Sequence, residues 1–111
     1  MKLIATSIAP AVNVIAFHQD SLDAGNVNAF REAIAPALQT SETLMLDMSM
    51  LSFVDSSGLG ALLSCLRSMN EKNGNLKLFG ITKPVLALFE LVRMHRLFSI
   101  YANLDEAAAD K

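Results

Sequence analysis

The side chains best suited to chemistry lie together in the segment LSFVDSSGLGALL, which runs from residue 51 to residue 63. Here an apolar stretch gives way to a carboxylate, Asp55, and two adjacent hydroxyls, Ser56 and Ser57, and a leucine-rich run follows at once. A serine hydroxyl in such a position can act as a nucleophile, accept a phosphate, or cap the helix that follows. The surrounding residues decide between these chemistries.

The residues around the two serines do not fit the common enzyme motifs. A nucleophile elbow needs glycine two positions before and two positions after its serine, and neither Ser56 nor Ser57 has both. The SSGLG segment lacks the Lys-Ser or Lys-Thr ending of a phosphate-binding loop and does not match the dinucleotide-binding pattern. His18 and His95 have no Cys or acid partners at metal-ligand spacing. A Ser-His-Asp triad through His95 stays open as an alternative, because triads assemble in space. The sequence therefore favours a protein without a catalytic or metal site.

Helix capping and a binding or modification site remain as interpretations of the hydroxyls. Serine and aspartate are preferred N-caps because their oxygens accept hydrogen bonds from the unpaired amides of the first turn. One cap needs one oxygen, whereas three candidates stand in a row. Gly58 and Gly60 leave the first turn nearly free of side chains, so that its backbone and hydroxyls are accessible to a partner. A helix N-terminus also accommodates an added anion, so a serine there can take a phosphate without disrupting the fold.

The composition predicts one small domain spanning residues 1–111. The hydrophobic fraction of 52% is high and only 18% of the residues are charged, so we expect strands buried on both faces or a surface used for partners. A net charge of −2 offers no basic footprint for nucleic acid. No run approaches the roughly 18–20 apolar residues of a membrane-spanning helix. The single cysteine, Cys65, is typical of a reducing compartment, so we expect the cytoplasm.

The first forty residues predict two strands and a helix. The start, MKLIATSIAPA, resembles a weak signal peptide, but polar residues interrupt its apolar stretch and a strand-like pattern continues beyond it. We therefore predict a hairpin that turns near Pro10. Apolar residues at helical spacing then predict a helix capped by Asn26 or Asp23. Within it, Pro36 removes a hydrogen-bond donor and should cause a bend or an early end.

Strands and helices alternate through the rest of the chain. The run TLMLDM is suited to a strand buried on both faces, and a helix from about Ser57 to Asn73 follows. Four leucines of that helix recur at helical spacing and should pack against Leu44 and Leu46: Leu59, Leu62, Leu63 and Leu66. LKLFGI and SIYA predict two strands separated by a helix that opens at Thr82, and LDEAAAD predicts a last helix. The fold class is α/β, with a mixed sheet of about four to five strands and about four helices.

Three segments together resemble the STAS domain family, and in particular its stand-alone bacterial members, the anti-sigma-factor antagonists. LMLDMSMLSFVDSSGLGALLSCLRSM is similar to the family's central segment, and LDAGNVNAF is similar to the beginning of its first helix. LKLFGITKPVLALFELVRMHRLFSIYANLDEAA follows the family's closing strand–helix–strand–helix pattern. The resemblance implies a single STAS domain that is not an enzyme and that regulates transcription by binding an anti-sigma factor.

The resemblance also implies which residues carry this function. In the family, the first serine after the aspartate is phosphorylated by a cognate kinase, and in this sequence that residue is Ser56. Ser57 is expected to cap the helix and is a secondary candidate for the phosphate, while Asp55 would orient the hydroxyl or contact the kinase. The residues expected to bind the partner are Asp23, Asp55, Ser56, Ser57, Gly58 and Leu59.

The implied partner is an anti-sigma factor that is also a serine kinase, and a metal-dependent serine phosphatase would reset the switch. That kinase uses ATP and magnesium, so the chain itself is expected to need no cofactor. A phosphate would add about −1.5 to −2 charges beside Asp55 and weaken the complex. A constitutive STAS scaffold in another signalling complex or a transport system is the alternative, and there the DSS segment would only cap a helix.

Overall fold

The computed structural model describes residues 1–110, and in this part of the chain no helix is long and apolar enough to cross a membrane. The strands are β1 (Leu3–Ala9), β2 (Val12–Phe17), β3 (Ser21–Leu22), β4 (Thr43–Asp47), β5 (Phe53–Val54), β6 (Asn75–Phe79) and β7 (Ser99–Tyr101). The helices are α1 (Val27–Thr40), α2 (Ser56–Glu71), α3 (Lys83–Leu91) and α4 (Leu104–Ala109), and a short 3-10 turn, Met94–Arg96, precedes β7.

Five of the strands form one mixed sheet in the order β1-β2-β4-β6-β7. Only β1 runs antiparallel to its neighbour, and the remaining pairs are parallel with a helix in each connection. The expected α/β class, with a mixed sheet of four to five strands and four helices, is confirmed. A second, two-stranded parallel sheet of β3 and β5 was not expected, and it positions the candidate site.

The hairpin predicted near Pro10 is present. β1 and β2 pair antiparallel from Leu3↔Phe17 onward, and the chain turns through Pro10 and Ala11. Ala11 has a φ of 58°, in the left-handed region that non-glycine residues seldom adopt. Its carbonyl accepts hydrogen bonds from the amides of Glu42 and Thr43, at 2.8 and 3.1 Å. The turn is therefore held against the start of β4.

The strand TLMLDM is buried on both faces, as predicted. Leu44 and Leu46 lie in the main core, which the sheet forms with residues of α1, α2 and α3. Met45, between them, points to the opposite face and packs with Val14, Phe79 and α4. Two apolar layers against one strand explain why its sequence shows no polar alternation.

The helix predicted from about Ser57 to Asn73 corresponds to α2, and three of its four predicted leucines pack in or against the core as expected. Leu59 and Leu62 are buried in the same core as Leu44 and Leu46, and Leu66 packs against that core, while Leu63 is half-buried. The helix ends at Glu71, and Asn73 takes a φ of 60°, so the predicted end at about Asn73 is confirmed to within two residues. Because these leucines face the core, they determine which side of the first turn of α2 faces solvent.

Pro36 lies inside helix α1. We expected a bend, or the end of the helix, within a turn of this residue, and α1 continues through it and ends at Thr40, about one turn later. Proline cannot donate to the carbonyl of Glu32. Both Glu32 and Pro36 lie on the exposed side of the helix, away from its buried residues Phe30 and Ile34. The Thr40 hydroxyl donates to the Pro36 carbonyl at 2.9 Å and closes the last turn.

Candidate functional site

The small β3–β5 sheet brings two distant acidic residues to one place. Its strands pair in parallel, with Ser21 opposite Phe53 and Leu22 opposite Val54. The residues that follow them in sequence are Asp23 and Asp55, so both emerge at the same end of this sheet. The Asp55 amide also donates to the Leu22 carbonyl at 3.2 Å, which extends the pairing by one step.

Asp55 caps α2. Its backbone is extended, with φ −96° and ψ −173°, and its Oδ1 accepts a hydrogen bond from the Gly58 amide at 2.9 Å. Its Oδ2 accepts from the Ala24 amide at 3.0 Å, so the same carboxylate joins the loop after β3 to the start of α2. The expectation that Ser57 is the cap was wrong. The helix already begins at Ser56, and only the last extended residue before it can serve as the N-cap.

The hydrogen bonds to Asp55 also keep it ionised. The Gly58 amide, and next the Ala24 amide, lower the pKa of this carboxyl below its ordinary value of 3.8, because they donate to the charged form. The resulting stability is therefore fully present above about pH 4 and is lost as the pH falls through the lowered pKa of the folded state. At neutral pH the site carries a fixed negative charge next to Ser56.

Replacing Asp55 with alanine should lower the melting temperature by about 4–8 °C at pH 7, because the helix loses its cap and the Ala24 amide loses its acceptor. The deficit relative to wild type should shrink as the pH is lowered past the pKa of Asp55. Ser57→Ala is the matched control and should change the melting temperature by less than about 2 °C. Thermal melts of both variants from pH 3 to pH 7 test this assignment, and a larger loss in Ser57→Ala would contradict it.

The two serines differ in exposure. Ser56 is the first residue of α2 and its side chain is exposed, whereas Ser57 is half-buried. Within residues 1–110 neither hydroxyl takes part in a side-chain hydrogen bond. The capping bond to the Gly58 amide comes from Asp55 instead. The Ser56 hydroxyl is therefore the more accessible of the two, and the first-turn amides that surround it have no helical acceptors.

Asp23 organises the neighbouring loop. Its Oδ1 accepts from the Gly25 amide at 2.9 Å and its Oδ2 accepts from the Ser21 hydroxyl at 3.0 Å. Asn26 occupies the N-cap position of α1, but its side chain accepts from the Asp23 amide instead of capping the helix. Asp23 is half-buried in these contacts, so it contributes to the site mainly by fixing the loop that Asp55 holds.

Gly58 lets α2 approach β3 closely. A Cβ atom at this position would lie 2.4 Å from the Leu22 carbonyl oxygen and 2.8 Å from Cγ1 of Val54. Gly60, two residues on, has nothing within 4 Å of the equivalent position. Only the first of the two glycines is thus required by packing, and it is buried, so it supports the site from beneath.

An apolar groove of about 470 Å³ lies beside Ser56. Its walls come from β5, the start of α2 and one side of α3, and its lining includes Phe53, Leu59, Leu88 and Val92. Phe53 and Val92 are 55% and 47% exposed, which is high for such side chains. The expected Leu59 is at this groove, although it is itself buried. The groove was not predicted from the sequence, because its walls come from three separate elements.

Cys65 is not part of this site, and neither histidine lines the groove beside Ser56. Cys65 is buried in the core, and burial raises the pKa of its thiol to about 11, as expected of a packing residue. Among residues 1–110 no cluster of three or more His, Cys, Asp or Glu side chains is placed to hold a metal ion. The exposed hydroxyl, the fixed carboxylate and the apolar groove are therefore the features of this site.

Comparison with known proteins shows a family match over most of the chain. Residues 4–107 match the STAS domain. The anti-sigma-B factor antagonist of Listeria monocytogenes is 29% identical over 90 residues, which cover 75% of this chain and 78% of that protein. The anti-sigma F factor antagonist of Paenibacillus polymyxa is 32% identical over 62 residues, which cover 56% of this chain and 53% of that protein. The match thus spans about half the length of the Paenibacillus relative.

Solved structures share the fold over most of the chain. The anti-sigma factor antagonist SpoIIAA in its unphosphorylated form gives a TM-score of 0.79 at 23% identity, covering 98% of this chain and 94% of its own. Bacillus SpoIIAA in its phosphorylated form gives 0.73 at 22% identity and covers 96% of each chain. The murine Slc26a9 anion transporter gives 0.71 at 26% identity, covering 90% of this chain and 17% of the transporter.

Proposed function

This chain belongs to the STAS domain family, and we propose that it acts as an antagonist of an anti-sigma factor. By binding the anti-sigma factor, it would leave a sigma factor free for transcription. The relatives from Listeria and Paenibacillus carry that activity in their names. The observation that carries the proposal is the exposed Ser56 hydroxyl, which stands at the start of α2 between a fixed carboxylate and an apolar groove.

The proposed partner surface consists of this groove and the first turn of α2. Exposed apolar side chains such as Phe53 and Val92 lose contact with water when a partner covers them, and this contributes affinity. Ser56 lies at the rim of the groove, so a partner that fills the groove also covers the hydroxyl. Asp55, Ser57 and Gly58 shape the turn beneath it. Asp23 holds the adjoining loop.

Ser56 is the proposed phosphorylation site, and phosphorylation is the proposed switch. A phosphate adds about −1.5 to −2 charges next to Asp55, which is already ionised. The free domain can accept this charge because the first amides of α2 and the helix dipole favour an anion. A partner packed over the same turn would have to desolvate the phosphate, so the complex is weakened.

The proposed partner is therefore both an anti-sigma factor and a serine kinase, and a metal-dependent serine phosphatase returns the protein to its binding form. In this cycle the chain is a substrate and a binder and not an enzyme, it holds no cofactor of its own, and it works in the cytoplasm. The phosphorylated structure of SpoIIAA supports the proposal in one respect: that protein keeps the same fold in its phosphorylated form.

Incubation with the anti-sigma kinase of the same genome and ATP should add one phosphate to the wild-type protein, located on Ser56 by tandem mass spectrometry. Ser56→Ala should reduce the incorporation at least about tenfold, because the exposed acceptor is gone. Ser57→Ala is the matched control, since it removes the neighbouring, half-buried hydroxyl, and it should keep near wild-type incorporation. A phosphate found on Ser57, or equal incorporation in both variants, would contradict the assignment.

A constitutive scaffold is the second candidate function, and the likeness to the Slc26a9 transporter favours it, because there the shared fold makes up a small part of a larger protein. The two functions differ in what Ser56 does. A scaffold should bind its partner equally well with Ser56→Asp and with wild type, and no kinase should modify either serine. Both results together would replace the antagonist proposal with the scaffold.

A further inference from the structure

The outer edge of the main sheet is a long strand that carries neither charge nor proline. β1 has seven residues, LIATSIA, with no charged side chain and no proline, and within residues 1–110 no strand pairs with its outer side. The opposite edge, β7, has only three residues. Natural proteins blunt exposed edges with charges, prolines or short strands, because free backbone amides and carbonyls are a template for pairing.

Two large apolar side chains of β1 are exposed. Ile4 and Ile8 are 46% and 43% exposed. Thr6 is in register with Val14, which faces the α4 side of the sheet, and Ile4 lies two residues away on that same face. The pairing with β2 shifts register between Ser7 and Ala9. Ile8 nevertheless stays on the α4 face, where it lines a groove of about 410 Å³ with residues of β2 and β4.

The strand is complementary to itself. Antiparallel pairing of two copies about an axis at Thr6 places Ile4 of one copy opposite Ile8 of the other, and Thr6 opposite Thr6. Directly opposite β-branched side chains on one face are favourable cross-strand pairs. On the other face Ala5 meets Ser7, which leaves no steric conflict. Lys2 falls opposite Pro10, so no like charges oppose each other along the strand.

We propose that two copies of this chain associate through β1 in antiparallel fashion, with the two-fold axis at Thr6, to form one continuous ten-stranded sheet. A seven-residue strand is about 23 Å long. Its edge covers far less than the roughly 800 Å² per partner of a stable interface, so the dimer is weak and depends on concentration. None of the residues involved borders the groove beside Ser56, and the dimer is independent of the proposed function.

Sedimentation velocity from about 10 µM to 1 mM tests the association. The weight-average mass of wild type should rise with concentration from 12.0 kDa towards twice that value. Thr6→Lys should raise the dissociation constant at least about tenfold, because it places two ammonium groups opposite each other at the axis. Ser99→Lys, which adds the same charge on the other edge strand, should associate like wild type. A constant mass of 12.0 kDa for wild type would overturn the proposal.

Charge reversal tests the axis itself. Thr6→Lys and Thr6→Glu should each remain monomeric when alone, and an equimolar mixture should associate, since the axis then joins opposite charges. Oxidised Thr6→Cys should form a cross-linked dimer faster than Ser7→Cys, because Ser7 faces Ala5 of the second copy. Cys65 does not compete, being buried. Failure of the mixture to associate, or equal cross-linking at the two positions, would overturn the assigned register.

Discussion

A phosphate on Ser56 should weaken the complex with the anti-sigma factor about a hundredfold, which corresponds to about 2.8 kcal/mol. The effect is large because the new charge lies next to an ionised Asp55 and at the rim of the apolar groove that the partner is proposed to fill. Covering a phosphate with apolar surface removes its water without supplying cations in exchange. Dissociation constants of the unmodified and phosphorylated forms, measured by calorimetry, give this ratio directly.

Two substitutions at Ser56 separate the effect of an added negative charge from the effect of losing the hydroxyl. Ser56→Asp should weaken binding less than phosphate does, because it brings one negative charge and fewer acceptor oxygens. Ser56→Ala should bind like wild type, since the exposed hydroxyl has no side-chain hydrogen bond to lose within residues 1–110. Tighter binding by Ser56→Asp than by Ser56→Ala would show that the partner favours negative charge there, and the proposed switch would be wrong.

Replacing Gly58 with alanine should destabilise the domain by about 3 kcal/mol, a large share of the roughly 5–15 kcal/mol that holds a domain folded. The added Cβ would lie 2.4 Å from the Leu22 carbonyl oxygen, and backbone cannot yield as a flexible side chain can. The first turn of α2 must therefore move away from β3. Chemical denaturation of the variant, compared with wild type at constant m-value, measures the loss.

Gly60→Ala is the matched control because it makes the same chemical change two residues further along α2. Nothing lies within 4 Å of its Cβ position, and alanine restricts the unfolded chain and favours the helix. This variant should be more stable than wild type by about 0.5–1 kcal/mol. Equal losses at both glycines would show that helix α2 does not rest on β3 as described.

Features that depend on sequence periodicity could be predicted well. The uninterrupted apolar run in β4 indicated burial on two faces, and the spacing of Leu59, Leu62 and Leu66 indicated the buried side of α2. The same pattern predicted a helix from about Ser57, one residue after its observed start at Ser56. Such signals are local, because each element's own residues carry them.

Features that depend on contacts between distant residues could not be predicted. β3 and β5 have two residues each, too few for any alternation to appear. The choice of Asp55 over Ser57 as the cap depends on which residue keeps an extended backbone. It is reinforced by the Ala24 amide, 31 residues away. The groove beside Ser56 forms only when α3 packs next to β5, so no single segment of the sequence indicates it.

Control of partner binding by modification of Ser56 can be measured with one preparation of the anti-sigma factor. This preparation is titrated with unmodified protein, with the singly phosphorylated form separated by ion exchange, and with that form after treatment with a serine phosphatase. The proposed switch predicts a dissociation constant about a hundredfold higher for the phosphorylated form, and full recovery after phosphatase treatment. Equal dissociation constants for all three samples would contradict it.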